Sequence, residues 1–256
     1  MKGQLSCIMS LLKHNKTNKK IAFIITSDEE IGGYCCKEIL KNYTSKLAVI
    51  PDASSNFNLV VEEKGLLQLE LSIKTKSAHA SQPFNGENAI VKLYEVYEKL
   101  INKYPLPKDN TEYQTSINLS SLNGGLQTNQ VPDTATMKLD IRYIAKDNPQ
   151  DFINIISNIN PNIEIKTILD GPVFKTNLNN KDMKKYLKVC KKILNKDINI
   201  IGCESTSDAV YFSEKNIPTI IMNPNGYYPH CENEYINKES LVTLYNIYYE
   251  FIQKED

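Results

Sequence analysis

The most constraining pattern in the chain lies between residues 66 and 169. Leu67, Leu69, Leu71 and Ile73 alternate with Gln68, Glu70, Ser72 and Lys74. That period of two puts the apolar side chains on one face of an antiparallel strand and leaves the polar ones on the other. A helix pattern covers 88–103, and alternating strands follow at 115–122 and 134–143, where Met137, Leu139 and Ile141 share a face. A second helix is predicted over 149–158 and a last strand over 163–169. The order β-α-β-β-α-β describes a ferredoxin-like α+β unit.

The flanking sequence has a different texture. Residues 2–12 carry helical spacing at Leu5, Ile8, Met9 and Leu12. The run Ile21-Ala22-Phe23-Ile24-Ile25 is continuously apolar, as buried parallel strands are. It stops at Thr26-Ser27-Asp28-Glu29-Glu30-Ile31-Gly32-Gly33, and a helix pattern continues to about residue 42. A second apolar run, 47–50, stops at Pro51-Asp52. Beyond Gly171-Pro172, helices are predicted over 181–194, 208–215 and 238–253, with a strand over 219–222. Strand, acidic turn and helix in succession predict an α/β fold, in which functional side chains collect at the carboxyl ends of strands. The predicted architecture is an α/β domain made of 1–65 and 170–256, interrupted by an inserted α+β domain over 66–169.

Charge narrows the function. Thirty basic residues balance thirty acidic ones, so no electrostatic footprint argues for nucleic acid or an anionic membrane. Arg142 is the only arginine. The six cysteines contain no C-x-x-C pair and read as reduced thiols of a cytoplasmic protein. Leu5 to Leu12 is too short to span a bilayer and has no cleavage site of a signal peptide.

Three places then stand out: Glu29-Glu30 at one strand end, Asp52 at the next, and His230 in the turn after 219–222. Two acids and a histidine at one sheet rim suit a divalent metal such as zinc. Neighbouring carboxylates point in different directions, so one can bind metal while the other accepts a proton. Asp-Glu-Glu is equally a helix N-terminal charge complementing the dipole, and spacing leaves both readings open.

Six segments, in order along the chain, resemble the M20 family of metallopeptidases and deacylases. Thr26-Ser27-Asp28-Glu29-Glu30-Ile31-Gly32 resembles its T-x-D-E-E-x-G, and Asp52 falls where the family has a metal-binding Asp or Glu. Ser77-Ala78-His79-Ala80-Ser81-Gln82-Pro83 with Gly86-Glu87-Asn88-Ala89 is similar to the start of its inserted domain. Gly124 to Pro132 resembles G-G-x-x-x-N-x-x-P, and Asp140-Ile141-Arg142 resembles D-x-R. Ser205 to Ala209 is similar to G-T-x-D-A, and His230 to Tyr235 resembles H-x-x-N-E-Y.

The resemblance implies a zinc-peptidase-like catalytic domain over 1–65 and 170–256, with a dimerisation or lid domain over 66–169. Glu29 becomes the general base that activates a metal-bound water. Glu30 and His230 ligate one metal and Asp52 the other, zinc being expected and cobalt or manganese compatible. His79 stabilises the oxyanion, while Asn129, Arg142 and Thr206 hold the substrate carboxylate or carbonyl. The implied substrates are small peptides or N-acyl amino acids, and the implied assembly is a homodimer through the inserted domain. Asp at position 52 tilts the expectation toward a peptidase, because the family's acetylornithine and succinyl-diaminopimelate deacylases tend to carry Glu.

Each role has a plainer counterpart. His79 is also readable as a solvated turn histidine, Arg142 as a surface charge on a strand, and 129–132 as a polar turn into proline. Thr206-Ser207-Asp208 is a helix N-cap signal in any case. Relatives also supply an H-x-D motif and a bridging Asp in a D-M-K-G-like segment, whereas this chain opens Met1-Lys2-Gly3-Gln4. The expectation is therefore an incomplete metal site and an inactive isolated chain. A non-catalytic dimerising module is the alternative.

Overall fold

The computed structural model describes residues 2–14, 16–53, 55–109, 111–227 and 231–253. They divide into two units, one formed by 1–63 with 174–256 and the other by 64–173.

The first unit starts with helix α1 (Lys2–His14), which buries Cys7 and Leu11. Helix α2 (Tyr34–Ile39), strand β1 (Ala48–Ile50) and strand β2 (Leu59–Glu63) follow. Between α1 and α2, residues 21–25 form no strand. They make no ladder, and Ile24 and Ile25 are exposed. The apolar run reports hydrophobicity, but a strand also needs a neighbour for its backbone groups.

The second unit is built from β3 (Gly65–Lys74), β4 (Ala78–His79), α3 (Ala89–Lys103), β5 (Ser116–Gly124), β6 (Gln130–Val131), β7 (Thr134–Tyr143), α4 (Pro149–Ile159) and β8 (Glu164–Gly171). Its sheet runs β5-β7-β3-β8, antiparallel throughout. The period-two pattern does what it predicts. Leu67, Leu69, Leu71 and Ile73 join Met137, Leu139 and Ile141 on one buried face, against Leu93, Val96 and Leu100 of α3 and Phe152 and Ile156 of α4. Asn88 starts α3 by accepting the Ile90 and Val91 N–H groups, and Asn148, with Pro149 at the first turn, starts α4. A small β4–β6 ladder pairs Ala78 with Val131 and His79 with Gln130.

The chain then returns to the first unit with β9 (Phe174–Lys175), α5 (Lys181–Leu194), β10 (Ile200–Cys203), α6 (Ala209–Glu214), β11 (Thr219–Ile221), β12 (Gly226–Tyr227), β13 (Tyr235–Ile236) and α7 (Lys238–Gln253). Its sheet is ordered β1-β11-β2-β10, with β9 also on β2. The β1–β11 and β2–β10 pairs are parallel, so this unit is mixed α/β. Leu59 and Ile220 pack beneath Met183, Tyr186 and Val189 of α5 and Leu244 and Ile247 of α7, all fully buried. All six cysteines are free thiols. Among the described residues, no helix is long and apolar enough to cross a membrane.

Candidate functional site

The acidic turn after residue 25 is held by its own backbone. Asp28 O accepts N–H groups from Ile31 (3.2 Å) and Gly33 (2.8 Å), making a short 3-10 turn over Glu29–Ile31. Asp28 Oδ2 accepts the Cys35 N–H at 2.8 Å, near the start of α2. That backbone N–H pulls the Asp28 carboxyl below its ordinary value. Gly32 and Gly33 both sit in left-handed backbone, with φ of 114° and 60°. Gly33 has a second reason to lack a side chain: a Cβ there would stand 1.8 Å from Asp208 Oδ1.

The first turn of α6 closes over this turn. Asp208 Oδ2 accepts the Thr26 hydroxyl at 3.4 Å, and Tyr211 donates its hydroxyl to Gly32 O. Burial, then the negative charge of Asp208, pushes the Cys36 thiol up to about 12. Burial and the Asp28 charge raise Asp208 itself. Glu29 and Glu30 are thus carried on a loop whose exit is clamped from a different helix.

Asp52 follows β1, partly buried, and accepts the N–H of Ala53 at 2.8 Å. Ala53 has φ of 57°, an uncommon conformation for a residue with a Cβ. Nearby stands Glu63, the last residue of β2 and fully buried. Its Oε2 accepts both the N–H (3.1 Å) and the hydroxyl (3.0 Å) of Ser207, while Oε1 is buried without a hydrogen bond. Burial pushes the Glu63 carboxyl up to about 7. The Ser207 bonds oppose that rise, and the charges of Asp52 and Glu29 add to it.

The structure therefore brings Glu29, Asp52 and the Thr206-Ser207 turn together around Glu63, with Glu30 on the same turn as Glu29. Thr206 is exposed, and Ser207 caps α6 in its place: its Oγ accepts the Ala209 N–H at 3.2 Å. Asp208 occupies the cap position without a capping bond. Glu63, Gly33 and Tyr211 lie outside the sequence motifs, whereas Asp208 is the aspartate of the Ser205–Ala209 segment. A carboxylate closing the apolar run Leu59-Val60-Val61 is the signal that could have found Glu63.

Beside burial, the charges of Asp52 and Glu29 raise the proton affinity of Glu63, and those of Asp28 and Asp52 raise that of Asp208; such crowding fits a divalent cation, whose charge relieves the repulsion. Oxygen donors and one imidazole suit zinc or manganese. Among the described residues, however, no group of three or more His, Cys, Asp and Glu stands arranged to hold a metal. His230 lies outside the described residues. The donor set fits in chemistry and charge, and the described part of it falls short in number.

The remaining candidates belong to the second unit. His79 is exposed, with Ser81 N–H 3.2 Å and Ser81 Oγ 2.8 Å from its Nδ1. Asn129 O accepts the Ala80 N–H at 2.9 Å, so these two loops are joined. Arg142 lies on β7, where Nε and Nη2 donate to Asp140 at 2.7 and 3.3 Å, and Gln68 donates to the same carboxylate at 2.8 Å.

Residues 61–166 match the family model of the M20 peptidase dimerisation domain. Over that stretch the chain is similar to the M20 peptidases. It is 28% identical to the LysW-lysine/LysW-ornithine hydrolase of Saccharolobus solfataricus, over 82% of this chain and 62% of that protein. It is 26% identical to the succinyl-diaminopimelate desuccinylase of Ehrlichia canis, over 96% of this chain and 68% of that protein. Among solved structures, aminopeptidase PepT of Bacillus cereus superposes with a TM-score of 0.79 at 21% identity, covering 98% of this chain and 70% of that one. The chain thus spans 62–70% of the length of these three proteins.

Proposed function

We propose that this protein hydrolyses amide bonds of small peptides or N-acyl amino acids in the M20 manner, with Glu29 as general base. The observation that carries the reading is the clamped Asp28–Gly33 turn, set against Asp52 and the buried Glu63, in a chain whose inserted domain matches the M20 dimerisation domain. Glu30 and His230 would hold one divalent metal and Asp52 the other, zinc being the expected metal. A bound metal pair supplies Lewis-acid polarisation and an acidified water. Glu29 takes the proton of the attacking water and delivers it to the leaving amine. His79 donates to the oxyanion, and Asn129, Arg142 and Thr206 hold the substrate carboxylate or carbonyl. The guanidinium of Arg142 suits a carboxylate because it binds in two places, as it already does with Asp140.

Peptides are favoured over N-acyl amino acids by the aspartate at position 52. The matched dimerisation domain supports a homodimer through the second unit, which light scattering of the protein tests. Hydrolysis of a dipeptide and N-acyl amino acid panel, with chelator and metal add-back, tests the chemistry. Faster acyl removal than dipeptide cleavage would reverse the substrate preference.

A second reading, a non-catalytic dimerising module, is favoured by one observation: the matched family model is that of the dimerisation domain and covers residues 61–166. Dimerisation without turnover in any metal would support it.

A further inference from the structure

We infer that Ser81 is a positioning residue that fixes His79 as the tautomer carrying its proton on Nε2. The inference deepens the proposed function, on which the oxyanion role of His79 rests. A backbone N–H can only donate, and that of Ser81 lies 3.2 Å from His79 Nδ1. Nδ1 must therefore present its lone pair, because a proton there would face the N–H head-on. The Ser81 hydroxyl, 2.8 Å from the same nitrogen, then donates as well. In a neutral imidazole one nitrogen carries the proton and the other accepts. With two donors converging on Nδ1, the proton belongs on Nε2.

The backbone around the ring supports this arrangement. His79 pairs with Gln130 across the β4–β6 ladder. Gln82 N–H donates to His79 O at 2.8 Å, tightening the 79–82 turn that brings Ser81 under the ring. Ala80 N–H donates to Asn129 O at 2.9 Å, tying that turn to the neighbouring loop. The exposed His79 ring consequently offers Nε2–H as a donor and has no free acceptor nitrogen. That is the form an oxyanion donor needs, and it is the wrong form for a general base. Ser81 thus divides the labour: Glu29 accepts protons, and His79 gives a hydrogen bond.

The test is a long-range proton–nitrogen correlation spectrum of the whole chain with labelled histidine, recorded at alkaline pH without metal or substrate. Only three histidines contribute, and H79Q assigns the signal. The wild type should show the Nε2–H pattern for His79, with Nδ1 shifted as a hydrogen-bonded acceptor. S81A keeps the backbone donor and removes the hydroxyl. Its Nδ1 signal should move toward that of an unbonded nitrogen while Nε2–H persists, and S81T should restore it. An Nδ1–H pattern in the wild type, or an Nδ1 signal indifferent to S81A, would overturn the inference. Because the spectrum needs no turnover, its outcome is independent of whether hydrolysis is found.

Discussion

Replacing Glu63 by glutamine should flatten the pH dependence of stability in the first unit. The buried carboxyl rises from 4.5 to about 7, and at about 1.4 kcal/mol per pH unit that shift amounts to about 3 kcal/mol. The sign follows from linkage. An acid whose folded-state value is raised binds its proton more tightly in the folded chain. Its stabilisation is fully present below about 4.5 and is lost as pH climbs through 7. The side chain of E63Q would retain the acceptor for both Ser207 donors and carry no charge to bury. Its amide nitrogen would stand where Oε1 has no partner, a cost of about 1–2 kcal/mol that is the same at every pH. The slope is therefore the observable. Urea unfolding of metal-free protein between pH 4.5 and 8, followed by far-UV circular dichroism since there is no tryptophan, would measure it. Wild-type stability should fall across the window by about 3 kcal/mol more than that of E63Q. Parallel profiles, or a wild type that gains on E63Q as pH rises, would refute the reasoning.

Gly33→Ala should destabilise the first unit by at least about 1–2 kcal/mol, because its φ of 60° is costly for an L-residue and the new Cβ would meet Asp208. A thermal melt indistinguishable from wild type would contradict that. Leu93→Ala, in the fully buried face of α3, should cost about 2–5 kcal/mol in the second unit, read by urea unfolding of the whole chain. Arg142→Lys should raise KM for substrates with a free carboxylate by about tenfold or more while largely sparing kcat, since a lysine lacks the two-pronged grip. A kcat loss with unchanged KM would assign Arg142 a different role.

How far the fold could be read in advance depended on what each pattern encodes. The strands over 65–74 and 134–143 were legible because alternation specifies which face is buried, and the burial of Leu67, Leu69, Leu71 and Met137 follows it residue by residue. The helix predicted over 181–194 forms with those bounds, and Asn180 caps it. Residues 21–25 were not legible, because a continuous apolar run says nothing about a pairing partner. Strands β2 and β10 escaped notice because one is five residues ending in two acids and the other is half-exposed, with a register shift between Ile201 and Gly202.

At the site, motif order pointed to Glu29, Glu30, Asp52, His79, Asn129, Arg142, Thr206 and His230, but not to what braces them. Glu63 under Ser207, and Asp208 against Gly33, join residues that lie far apart in sequence. Only the fold makes them neighbours. Arg142 with Asp140, and Ser81 with His79, are two-residue contacts that the strand and turn assignments already allowed.

The most direct test of the account is turnover of a dipeptide and an N-acyl amino acid by the protein as its own gene encodes it, compared with Glu29→Gln. The account predicts hydrolysis that a chelator abolishes, that zinc or manganese restores, and that falls by about 10²–10⁴ in kcat in E29Q with substrate affinity retained. Hydrolysis that survives E29Q unchanged, or no hydrolysis of either substrate in any divalent metal, would contradict it.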